Sequence, residues 1–192
     1  MALRWFVKLQ VDKDKIMSEE KHLCQYESRL LLKNGEVVLV RPVVPSDAPL
    51  LVDMFNKMTP RSRYLRFMTN IPELPENLLH QFTYLDYHAS FAIACLVESE
   101  GQSEIIAVAR YSHDPAEQIA DLGVAVRDDW QHLGIGKSLL SKIIMIGKEH
   151  GISRFGSMMD PQNDIMKKTL CELDFQVKYF FREGSYQVEI TT

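Results

Sequence analysis

Residues 131–138 read QHLGIGKS and gather two glycines, a lysine and a serine into a stretch short enough to wrap one ligand. The segment stands one residue away from the nucleoside-triphosphate loop G-x-x-x-x-G-K-[ST], with Gln131 where the first glycine belongs. Triphosphate chemistry also needs a strand-end carboxylate to hold magnesium, and ACLVESE and GSMMD are weak sources of one. What remains is a cradle for a different phosphate. A strand, LGVAV, runs into the loop and a helix, KSLLSKII, runs out of it, so free backbone N–H groups and the helix dipole favour an anion there.

The elements that must hold this loop follow from the apolar pattern. SRLLLKNGEVVLVRP is two apolar runs joined by Asn34-Gly35, a hairpin signal. PSDAPLLVDMFNKM predicts a helix with Ser46 as N-cap and Pro49 in its first turn, TPRSRYLRFM a short second helix from Thr59, and ENLLHQFTYL a third. FAIACLV, EIIAVARYS and IADLGVAV predict three consecutive strands. After the loop, Leu139, Leu140, Ile143 and Ile144 share a helix face that stops at Gly151. RFGSMM is then a strand, NDIMKKTLCEL a helix, and FQVKYFFREGSYQVEI a closing hairpin around Glu183-Gly184. The charged run at 12–21 reads as a solvated connector.

The chain has 192 residues, 46% hydrophobic and 25% charged, which predicts one packed domain rather than disorder or a disulfide scaffold. A net charge of −4 argues against a nucleic-acid partner. Cys24, Cys95 and Cys171 are odd in number and widely spaced, and the six histidines show no ligand spacing, so neither disulfides nor a metal site is expected. The N-terminus lacks a signal-peptide pattern and no run is long enough to span a membrane, so a cytoplasmic location is expected.

The stretch VAVRDDWQHLGIGKSLL resembles motif A of the GNAT acetyltransferase superfamily, [QR]-x-x-G-x-[GA] after a strand, with Gln131, Gly134 and Gly136 in the defined positions. Asn163, followed twelve residues later by Phe175, resembles that family's N-x₁₁-F helix. Residues 30–68, which hold RPVVPSD and TPRSRYLRFM, resemble the start of the GNAT domain of bacterial protein lysine acetyltransferases. The likeness covers residues 26–192 and leaves 1–25 as an extension. It implies a mixed α/β GNAT fold, a central and mostly antiparallel sheet of about seven strands flanked by helices.

The same resemblance implies acetyl-CoA as cosubstrate and no metal. It assigns the pyrophosphate to Gln131, His132, Leu133, Gly134, Ile135, Gly136, Lys137 and Ser138, the pantetheine arm to the backbone of Val124, Ala125 and Val126, and a further contact to Asn163. Asp121 holds the place of the relatives' catalytic glutamate, one methylene shorter, and becomes the candidate base for an acceptor amine; without the resemblance it is a solvated strand-end acid. Leu170 stands where many relatives carry a tyrosine that protonates the leaving thiolate, and Cys171 beside it reads as structural. Arg61, Arg63, Tyr64 and Arg66 either shape the acceptor's entrance or an acidic partner's surface, or form intradomain ion pairs. The expected acceptor is a lysine of a protein such as an acyl-CoA synthetase. A small amine, or a CoA-binding sensor that has lost catalysis, stays open, the latter because of Asp121 and Leu170. Oligomeric state is not legible.

Overall fold

A computed structural model describes residues 20–99 and 101–192. The apolar runs become eight strands: β1 (Ser28–Leu31), β2 (Val37–Pro42), β3 (Ser90–Ser99), β4 (Gln102–Ser112), β5 (Ala120–Val126), β6 (Arg154–Met159), β7 (Gln176–Arg182) and β8 (Ser185–Thr191). Among the described residues five α-helices accompany them: α1 (Ala48–Lys57), α2 (Pro60–Phe67), α3 (Glu76–Thr83), α4 (Ile135–Glu149) and α5 (Asp164–Cys171). One mixed sheet runs in the order β1-β2-β3-β4-β5-β6-β8-β7, eight strands rather than about seven because both arms of each terminal hairpin pair. Every neighbouring pair is antiparallel except β5 and β6, which α4 joins as a parallel crossover. Among the described residues no helix is long and apolar enough to cross a membrane.

That parallel pair fixes the site. Only Ala120↔Phe155 and Asp121↔Gly156 are in register, after which the strands part and leave Leu122–Val126 without a β6 partner. Across β4 and β5, Val108, Arg110 and Ser112 share one face with Ala125, Gly123 and Asp121, while Ala107, Ala109 and Tyr111 share the other with Val126, Val124 and Leu122. Helix α4 covers the second face. It lies so close that a Cβ on Gly147 would come within 2.6 Å of the Phe155 ring and 3.2 Å of Tyr111. Helices α1 to α3 cover the first face, where Met54, Phe55, Phe67 and Phe82 surround Val108, Arg110 and Ala125.

Two local expectations change. Asn34-Gly35 sits inside a five-residue connection between Leu31 and Val37, closed by Leu32 N–H to Glu36 O at 2.8 Å, and only Gly35 takes a positive φ, 87°. Ser46 does not cap the first helix. A 3-10 turn, Pro45–Asp47, precedes α1, and the buried Asp47 carboxylate accepts from Val44 N–H at 2.9 Å and from both Arg41 terminal nitrogens at 2.7 Å. The chain enters α1 through a turn that the Asp47–Arg41 pair holds from upstream, and α1 has no side-chain cap bond. Thr59 does cap α2, accepting from Ser62 N–H at 3.2 Å, and Glu183-Gly184 closes the last hairpin with φ of 49° and 78°. The connector at 12–21 lies almost wholly outside the described residues, whereas Leu23, just after it, is buried in the core.

Candidate active site

The loop after β5 is a concavity of main-chain donors. His132 and Gly134 both take the left-handed conformation, φ 64° and 91°, and Gly134 is the N-terminal cap of α4 with no side-chain cap bond. Alternating backbone of this kind turns successive N–H groups toward one point, and the first turn of a helix has no internal acceptors for its own N–H groups. At Gly136, in the first turn of α4, the absent side chain leaves the wall thin, and a Cβ there would meet Val126 Cγ2 at 3.7 Å. The arrangement fits a pyrophosphate. The Gln131 side chain turns away from the concavity: its Nε2 donates to Val126 O at 3.1 Å and to Ser62 Oγ at 3.3 Å. Lys137 is exposed and Ser138 half-buried beside the concavity.

From there a cleft follows the gap between the parted strands, lined by Leu122, Gly123 and Val124 on one bank and Ser157 to Met159 on the other. Ala125 and Val126 continue the unpaired stretch toward the loop. Asn163 lies in the cleft wall, nearly buried at 9% exposure. Its Oδ1 caps α5 by accepting from Met166 N–H at 3.1 Å, which leaves its amide nitrogen as the donor without a hydrogen bond among the described residues. Leu170 closes the cleft floor, so a side chain with no proton to give occupies that end.

Asp121 stands where β5 and β6 separate, half-buried, on the α1–α3 face of the sheet. Two guanidinium groups share that face. Arg110 pairs with Gly123 across the strands, and the Arg66 guanidinium lies over Gly123 so closely that a Cβ at this position would fall into it. Arg66 as a whole residue keeps some exposed surface, but its charged end is enclosed, and burial lowers its pKa against the pull of Asp121. Arg110 is 8% exposed, and burial pushes it down to about 10, Asp121 opposing and Arg66 assisting. Both guanidiniums lie over the Phe82 ring, at 5.9 and 4.6 Å from its centroid.

The basic helix α2 thus divides its labour. Arg63 donates to the carbonyls of Phe55, Met58, Asn56 and Pro72 at 2.9–3.1 Å, and Arg61 meets Asp160 at 3.5 Å, so these two are structural. Arg66 alone turns to β5. The helix is also latched to the loop: Asp128 accepts from Thr59 N–H and Oγ1 at 2.8 Å and from Ser62 Oγ at 2.6 Å. Burial works against the Asp128 charge and these bonds outweigh it, so its pKa is lowered. Arg110 and Phe82 escaped the sequence reading. Nothing in ARYS or HQFTY distinguishes them locally, and only the β4/β5 register and the packing of α3 bring them to Asp121.

Comparison with known proteins agrees with this geometry. Residues 55–168 match the profile of the Acetyltransferase (GNAT) family. Acetyltransferase PA5475 of Pseudomonas aeruginosa is 29% identical over 144 residues, 75% of this chain and 77% of that protein. Acetyltransferase Pat of Mycolicibacterium smegmatis is 27% identical over 144 residues, and the match covers 74% of this chain but 42% of Pat. Among solved structures, the GNAT domain of S. lividans PAT superposes with a TM-score of 0.79 at 28% identity, over 88% of this chain and 98% of that domain. The structure of yncA, a putative acetyltransferase from Salmonella typhimurium with its cofactor acetyl-CoA, shares the fold at a TM-score of 0.61 and 15% identity, over 80% of this chain and 93% of that one.

Proposed function

The chain belongs to the GNAT acetyltransferase family, and from that premise we propose that it moves the acetyl group of acetyl-CoA onto the side-chain amine of a protein lysine, for example in an acyl-CoA synthetase, with Asp121 as base. The single observation that carries the base assignment is the place of Asp121: the last residue of β5 paired with β6, one residue before the stretch that lines the cleft and on the face opposite α4. The lysine reading is supported by RPVVPSD and TPRSRYLRFM and by the likeness to the S. lividans domain over nearly its whole length.

The residues act as follows under this reading. The concavity at His132–Lys137 holds the pyrophosphate, the unpaired edge of Val124–Val126 lines up the arm, and the Asn163 amide adds a donor. Acetyl-CoA supplies the activated acyl group. A lysine arrives mostly as ammonium, since its ordinary pKa is about 10.4. Two guanidiniums beside the site disfavour a third positive charge, and the Asp121 carboxylate receives the proton that must leave nitrogen before it attacks. The C–N bond forms, the nitrogen releases its second proton to water, the C–S bond breaks, and with Leu170 in the cleft the thiolate departs without an acid from that position, as a group of pKa about 8.5 can.

A small-amine acceptor is a second reading, favoured by one feature: the face that carries Asp121 opens into a hollow with buried walls at Met54, Phe55 and Met58. The deciding experiment incubates the purified protein with acetyl-CoA and a panel of protein and small-amine acceptors, read by mass spectrometry. Acetyl-lysine on a protein supports the first reading; acetylation confined to small amines overturns it.

A further inference from the structure

The hollow under α1, α2 and α3 is apolar almost throughout, walled by Met54, Phe55, Met58, Phe67 and Phe82, yet two arginines enter it. Arg110 is more than nine-tenths buried, and its Nε has no hydrogen-bond partner among the described residues. Arg66 likewise makes no hydrogen bond among them, its ring contacts with Phe67 and Phe82 aside. An orphaned guanidinium nitrogen in an apolar wall costs desolvation that a stacked ring offsets only in part. Arg63, one turn away, shows what the same helix does with a structural arginine: it surrounds it with carbonyl oxygens.

The charges do not balance either. Asp121 acts on both arginines, without coming within ion-pair distance of either, so two positive charges face one negative. A single further carboxylate would close both deficits, because its oxygens can take two guanidiniums at once.

We infer that this hollow seats a carboxylate of the acceptor: an amine whose molecule also carries a carboxylate a few bonds away, held by Arg66 and Arg110 while the amine faces Asp121. This rests on the reading of the chain as an amine acetyltransferase with Asp121 at its reacting end. Two sources carry the same chemistry, an aspartate or glutamate beside the target lysine and the carboxylate of a free amino acid, and the apolar walls suit the methylenes of either. Arg66 and Arg110 are then specificity residues for a negatively charged acceptor.

Binding is tested first, because it needs no known acceptor. In calorimetry 3-phenylpropionate, an apolar carboxylate, should bind the wild-type protein and its amide should not. Arg110→Gln and Arg66→Gln should each weaken the carboxylate roughly tenfold or more, as expected for loss of a charged hydrogen bond, while Arg110→Lys retains part of it. Thermal melts identify any variant that fails to fold, and the carboxylate-against-amide comparison in the wild type stands without variants. Equal binding of acid and amide, or binding of neither, overturns the proposal.

Transfer is tested with matched pairs: lysine peptides with glutamate or glutamine next to the lysine, and free amino acids against their amides. The acidic member of one pair should lead in kcat/KM by roughly 10- to 100-fold, and Arg110→Gln should level the pair by raising KM for that member. Which pair shows the preference identifies the source. A preference that appears only between succinyl-CoA and acetyl-CoA places the carboxylate on the donor and overturns the proposal. So does an Arg66→Gln variant that lowers kcat equally for both members, which would put that residue at the reacting thioester. Lysine acetylation with no charge preference sinks the carboxylate seat and leaves the lysine reading intact; carboxylate binding with acetylation confined to free amino acids sinks the lysine reading and leaves the seat.

Discussion

Toward α4, the site offers main-chain donors in a loop with two left-handed residues; toward α1–α3, it offers the guanidiniums of Arg66 and Arg110 at Gly123, two residues along the same strand face from the Asp121 carboxylate. The first side is built from consecutive residues and, under the proposed reading, works through backbone, so it would hold a phosphate whatever most of its side chains are. The second is assembled from α2, α3, β4 and β5 and, under the same reading, works through side chains, so one substitution there would change what it accepts. A molecule built this way would keep its donor fixed and leave its acceptor open to change.

The sharpest way to break that contrast is to remove the carboxylate that acts on both arginines. Asp121→Asn should lower turnover at neutral pH by roughly 10²–10⁴-fold, the usual worth of a positioned base, with acetyl-CoA affinity nearly unchanged in calorimetry. Full activity of the asparagine variant across pH would make Asp121 structural. Asp121→Glu keeps the acid and should stay active, whereas an inactive glutamate variant would show a pocket shaped around the shorter side chain.

On the other side, Gly134→Val asks a β-branched residue to hold φ 91°, at a cost of about 1–2 kcal/mol or more, and acetyl-CoA should bind roughly tenfold more weakly or worse. Binding of 3-phenylpropionate in the α1–α3 hollow should survive. If acetyl-CoA binds the valine variant normally, the pyrophosphate lies elsewhere. Asp128→Ala, a smaller change, cuts the latch between α2 and the loop and with it three hydrogen bonds. We expect about 1–2 kcal/mol of lost stability in denaturant titrations. Because the latch ties the helix of Arg66 to the loop of His132, acetyl-CoA affinity and carboxylate preference should weaken together; a variant that moved only one would show the two sides to be independent.

The same contrast explains what the amino-acid sequence reveals. Gly134 and Gly136 are legible because a left-handed cap and a thin wall are local demands that glycine answers in place, and the strands and the helix faces follow from apolar spacing. Asp121 is legible only through the resemblance, since an acid at a strand end is otherwise ordinary. Arg110 is not legible at all. Its meaning lies in facing Gly123 across a strand pair, under a ring that arrives from α3. Ser46 fails for a related reason: the chain enters α1 through a 3-10 turn held by Asp47 and its partner Arg41 on β2, a partner no helix-start pattern contains.

The smallest expected effect lies farthest from both sides and serves as their control. At the end of α4, His150 meets Tyr111 Oη through Nδ1 at 2.6 Å and Tyr26 Oη through Nε2 at 3.0 Å, and stacks on His88 at 5.1 Å. Burial and the neighbouring His88 lower its pKa below the ordinary 6.5, with Glu149, the His88 backbone and Asp86 opposing. A histidine held neutral in the folded state gains its proton more readily when unfolded, so its contribution is complete above pH about 6.5 and is lost as pH falls through its folded value. Stability measured at about pH 6.5 and at about pH 5 should therefore be lower at the more acidic value, by no more than about 1.4 kcal/mol per pH unit for one proton. Glu104 and Asp128, held below their ordinary 4.5 and 3.8 by their hydrogen bonds, titrate beneath this range. His150→Phe removes the proton and should flatten the decline in urea titrations at the two pH values, even though the loss of two tyrosine bonds lowers stability at both. An unchanged slope would assign the acid sensitivity to another group. Acetyl-CoA affinity and carboxylate preference should stay as they are in the wild type, because His150 ends α4 opposite the loop and lines neither the cleft nor the hollow.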